Sequence, residues 1–105
     1  MTRPGGAIDA GEWLAGRRPP APAELGQQLA KIVGSRACDS LTDLSQSLLA
    51  DAESLIRGLG NDRSAAMGLL LADALITYAV EAAAEDCSRL EAIARQAMLR
   101  VSRAV

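Results

Sequence analysis

From Leu41 onward the apolar residues Leu41, Leu44, Leu48, Ala52, Leu55 and Leu59 recur at steps of 3, 4, 4, 3 and 4. That spacing predicts a helix with one buried stripe, which Leu49 and Ile56 widen. Ser40, with Asp43 three residues on, supplies the start, and the Gly58/Gly60 pair supplies the stop. Upstream, Leu25, Leu29, Ile32 and Val33 form the face of a helix that begins near Pro22 or Ala23 and ends at Gly34. Asp9 and Glu12 have capping-box spacing for a short helix closed by Gly16. Arg17-Arg18-Pro19-Pro20-Ala21-Pro22 follows as a stiff extended linker, and residues 1–8 read as a flexible lead-in.

Beyond Gly60, Asn61 or Asp62 is expected to cap a helix running to about Glu85. Ser88 with Glu91 then reads as the capping box of a last helix, with Leu90, Ile93, Ala94, Ala97, Met98 and Val101 facing inward. Short loops make successive helices antiparallel neighbours. The expected fold is therefore all-α: a bundle of about four helices at 23–105, preceded at 1–22 by an N-terminal arm, a short capped helix and the Pro-rich linker.

The segment Ala65–Ala84 is apolar on nearly every side. Its polar residues Asp73, Thr77 and Glu81, with Glu85 beyond, fall at successive i+4 positions on one line, next to Tyr78. Two apolar lines flank that stripe, Leu69, Ile76, Val80, Ala83 on one side and Leu71, Leu75, Ala79, Ala82 on the other. They cannot both face the same neighbouring helix. One is expected to pack within the chain and the other on a second subunit, most simply in a two-fold dimer. Leaving such a face wet would forfeit several kcal/mol of a total stability of roughly 5–15. A membrane span is disfavoured, because a charge such as Asp73 near its centre would cost roughly 2.5–3.5 kcal/mol.

Composition narrows the function. The 105 residues hold 21 Ala and 15 Leu but no Phe, one Trp and one Tyr. This suits helices and leaves no aromatic platform for stacking bases. A net charge of −2 argues against binding to DNA or to an anionic membrane. No histidine is present, which removes the usual general base and metal ligand. Cys38 and Cys87 lack the paired spacing of a zinc site and read as packing residues. No apolar leader opens the chain, so the expected location is the cytoplasm. Lys31 is the one lysine among eleven basic residues, a composition expected of a GC-rich bacterial gene.

Four features carry candidate chemistry. Asp73, Glu81 and Glu85, with Asp51 and Glu53 from the preceding helix, offer carboxylates to a divalent metal, yet they read better as a solvated face. Asp39-Ser40-Leu41 matches the three residues that hold the prosthetic arm of acyl carrier proteins. Only five residues separate Gly34 from Ser40, however, where a carrier has a long loop, so Ser40 reads as a cap. Arg17-Arg18 reads as solvated linker or as a grip on an acidic surface. Trp13 is expected to fold onto the core or to sit in a self-interface. The leading expectation is a homo-oligomeric protein acting by protein–protein contact as a scaffold, adaptor or regulatory subunit, without cofactor or metal. The alternative is a binding module for a small apolar or lipid-like ligand, with Asp73, Thr77, Tyr78 and Glu81 at its mouth. A metal-dependent hydrolase comes third.

Overall fold

Side-chain caps set where the helices of this protein begin. In the computed structural model, which describes residues 7–104, the Asp9 carboxylate accepts from the Glu12 backbone N–H at 2.9 Å and opens α1 (Ala10–Ala15). The Ser40 hydroxyl accepts from the Asp43 N–H at 3.1 Å and opens α3 (Leu41–Arg57). Between them lies α2 (Ala23–Val33), entered from Pro22 and ended by Gly34, whose φ of 63° places it in the left-handed region that glycine enters freely. The Arg18–Pro19 peptide in the linker before α2 is cis.

Two elements differ from the expected pattern. Ile8–Asp9 (β1) pairs antiparallel with Ala37–Cys38 (β2), Ile8 opposite Cys38. The expected lead-in therefore ends in a strand; its residues 1–6 lie outside the described residues. The pairing brings α1 close to the end of α2, where a Cβ at Gly11 would overlap the Gly34 carbonyl oxygen.

The larger correction is at the C-terminal end. The helix expected to stop near Glu85 and restart at Ser88 is one continuous element, α4 (Ser64–Ala104), 41 residues long. Nothing from Glu85 to Arg89 is Gly or Pro. Asp and Ser in a helix interior cost only about half a kcal/mol each, less than renucleating a new helix. The Ser88/Glu91 spacing is thus a capping pattern with no helix start to cap.

The α3–α4 antiparallel hairpin is the largest contact in the chain. Leu44, Leu48 and Ala52 of α3 meet Leu71, Leu75, Ala79 and Ala82 of α4 in the core. Small residues at Ala72, Ala79 and Ala82 suit close helix packing, and all three are buried. The Ser45 hydroxyl, also buried, donates to the Ala79 carbonyl at 2.8 Å. Helices α1 and α2 lie along one side of the hairpin, contributing Ala10, Leu29 and Val33.

Among the described residues, the half of α4 beyond Asp86 has no such neighbour. Leu90, Ala94, Ala97, Met98 and Val101, expected to face inward, are exposed; the side chain of Ile93 lies outside the described residues. This projection gives the molecule extents of 66 × 31 × 24 Å. Leu49 and Ile56, expected to widen the buried stripe of α3, are exposed as well. By length and composition α4 is long and apolar enough to cross a membrane; in this fold its Leu71–Ala82 face is packed on α3.

Candidate functional site

The polar stripe of α4 is where α1 docks. Trp13 folds back on its own chain, and its indole N–H donates to Glu85 at 3.1 Å. Its ring meets Tyr78 edge-on, with centroids 6.5 Å apart and planes at 89°. The Arg17 guanidinium lies over the indole, 4.0 Å from the ring centroid, and its charge reaches Glu81 at 3.8 Å. Each of these contacts is a weak to moderate attraction, and together they join α1 to α4. Arg17, expected to act with Arg18 in the linker, instead follows the Gly16 cap of α1 and turns back over Trp13. Its backbone N–H bonds to the Leu14 carbonyl at 3.2 Å, a turn that no periodicity in the sequence signals.

The carboxylates offered to a metal are dispersed among separate partners. Glu81 and Glu85 serve α1, Asp51 pairs with Arg36 at 3.0 Å, and Glu53 pairs with Arg57 one turn away. Among the described residues no group of three His, Cys, Asp or Glu could hold an ion. Asp73 is exposed, and its backbone carbonyl accepts from the Thr77 hydroxyl at 2.9 Å.

Of the four residues expected at a pocket mouth, Tyr78 lines a cavity of about 230 Å³ with Leu14, Ala21 and Leu29. Asp73, Thr77 and Glu81 are exposed along the other part of the stripe. Cys38 is buried, and burial pushes its thiol above the ordinary range; Cys87 is exposed on α4. At the helix start, a hydrogen bond from the Ser64 hydroxyl at 2.6 Å holds the Asp62 carboxyl below its usual range.

The two apolar lines of α4 have different surroundings. Leu71, Leu75, Ala79 and Ala82 are buried within the chain. Leu69 and Val80 are 55% and 62% exposed, Ile76 is 39% exposed, and Ala83 is open beside them. Helical spacing places this second line on the side of α4 away from Met67, Leu71 and Tyr78, and so away from α1 and α2. The pairing of Ser45 with Ala79 sets Leu49 at the level of Ile76 and Ile56 at the level of Leu69, so both helices of the hairpin present apolar residues there. Compared with protein-family models, with curated proteins and with solved structures, the chain matches none.

Proposed function

We propose that this chain is a small homo-oligomeric helical protein that acts by protein–protein contact, as a scaffold, adaptor or regulatory subunit. The observation that carries this reading is the line Leu69, Ile76, Val80 and Ala83, which stays exposed after α1, α2 and α3 have packed. Each large side chain on it holds on the order of 1 kcal/mol of burial that a single chain does not realise. An apolar surface of this kind on a protein without other conspicuous chemistry is an association surface. Light scattering at micromolar concentration tests it. The unmutated protein is expected to be an oligomer, and Ile76→Glu a monomer with unchanged helical circular dichroism, because Ile76 makes no part of the core. A well-folded monomer of the unmutated chain overturns the reading.

The cavity beneath Tyr78 favours a second reading, a module for a small apolar ligand. Its volume of about 230 Å³ suits a molecule of a few heavy atoms rather than a lipid chain. A saturable shift of Trp13 fluorescence on titration with short alkanols would support it, and an unchanged spectrum would exclude it.

A further inference from the structure

The exposed line on α4 does not end at Ala83. Leu69, Ile76, Ala83, Leu90 and Ala97 recur every seven residues, and every one is exposed. Four residues after each come Asp73, Val80, Cys87, Ala94 and Val101, all exposed too. The alternation of four and three is a 3.5-residue repeat held over more than four heptads, and apart from Asp73 its members are apolar or small. A straight helix drifts about 20° per heptad away from such a repeat. Only a second helix that supercoils with α4 keeps the whole line covered.

Among the described residues no other element packs on the helix beyond Asp86, so a second chain is the occupant to consider. Charge says which helix fits. From Ser64 to Asp86, α4 carries Asp73, Glu81, Glu85 and Asp86 and no basic residue; Glu81 and Glu85 face Arg17 and Trp13, and Asp73 lies in the seam itself. From Cys87 to Ala104 it carries Arg89, Arg95, Arg100 and Arg103 against Glu91 alone. An acidic half followed by a basic half is complementary to its own reverse. A parallel, in-register pair would set Asp73 against Asp73 in the seam. The antiparallel pair moves each Asp73 to the end of the seam, beside the other copy's Arg103.

We infer that two copies of this chain pair antiparallel along α4, the projecting half of each lying on the exposed face of the other that holds Ile76, Val80 and Ala83. This rests on the self-association proposed above and adds its geometry. The heptad register sets Val80 of one copy opposite Ala97 of the other, Ile76 opposite Val101, and Cys87 opposite Leu90 at the two-fold axis. The overlap, residues 73–104 of each copy, is about 47 Å long and roughly 10 Å wide. Two such stripes cover about 900 Å², close to the ~1,000 Å² of a stable interface, before Leu49 of α3, level with Ile76, adds to it.

Crosslinking distances test the arrangement. In a Cys87→Ser background, V80C and A97C each add one exposed thiol on α4, outside the core. A short bifunctional thiol reagent is expected to join V80C chains to A97C chains when the two are mixed, and to join neither variant to itself. In the antiparallel pair two V80C thiols stand about 25 Å apart. Self-crosslinking of V80C alone would show a parallel pair and overturn the inference while leaving self-association standing. A dimer by light scattering with no crosslink in the mixture would place the interface elsewhere and overturn it too. A monomer would overturn both.

Discussion

Trp13 and Glu85 lie 72 positions apart, and the indole N–H of one donates to the carboxylate of the other at 3.1 Å. That contact, with the Arg17 guanidinium over the same ring, ties the first helix of the chain to the middle of the last. It also accounts for part of the acidic stripe: Glu81 and Glu85 are acidic where Arg17, just past the α1 cap, brings a cation and Trp13 an N–H donor.

Trp13→Phe keeps an aromatic ring against Tyr78 and removes the hydrogen bond. The expected cost is about 0.5–1.5 kcal/mol in denaturant unfolding. Glu85→Gln retains an acceptor and should cost less. Equal losses from the two would show that the hydrogen bond is not what holds α1.

Ser40 and Ser88 have the same sequence signature and opposite environments. Ser40→Ala removes a real cap and should destabilise by about 0.5–2 kcal/mol. Ser88→Ala replaces a weak helix former by the best one inside a continuous helix, and should be neutral or stabilising by up to about 0.5 kcal/mol. Thermal unfolding of the two variants side by side reads the difference. A loss at Ser88 equal to that at Ser40 would mean that the helix restarts there.

Gly11→Ala forces a methyl group into the Gly34 carbonyl, a backbone atom that cannot rotate aside. A loss of about 1–3 kcal/mol is expected, felt first where α1 meets the end of α2. Hydrogen exchange at the Ala10 amide, which bonds to the Arg36 carbonyl at 2.8 Å, should accelerate.

The raised Cys38 thiol has a pH signature. Its folded pKa lies above the unfolded one because burial disfavours the thiolate, despite the nearby Arg36 charge. Its contribution to stability is therefore complete below the unfolded thiol range. It is lost as pH rises above about 8.5, where the unfolded chain ionises first. Denaturant midpoints across that range should fall, and Cys38→Ser should remove its part of the slope.

The interior helices were legible because their ends are local events. Ser40, Pro22, Gly34 and Gly58 each act within a turn of the boundary they mark. The division of α4 into two apolar lines was legible for a similar reason, since helical angle follows from spacing alone. What escaped depends on partners far along the chain. Two-residue strands have no periodicity to read, and the side on which Trp13 lands is decided by Tyr78, 65 positions away. Continuity through Ser88 escaped because a capping pattern signals a start only where the preceding turn is already broken. The inward face expected for Leu90, Met98 and Val101 failed because no other described element packs beside them.

Ser45 bears on the register of the α3–α4 hairpin. Two helices that meet through leucines and alanines resemble a pair of ratchets, and a slip of one turn, about 5.4 Å, would bring equivalent apolar groups back into contact at little cost. The hydroxyl of Ser45 resists leaving the observed setting. It is buried and donates to the Ala79 carbonyl, so a slip of less than a full turn strands a hydroxyl in an apolar seam at about 1–3 kcal/mol. One polar atom thus works as a detent, holding α4 in its setting past the start of α3, and with it the length of helix left free to meet another molecule.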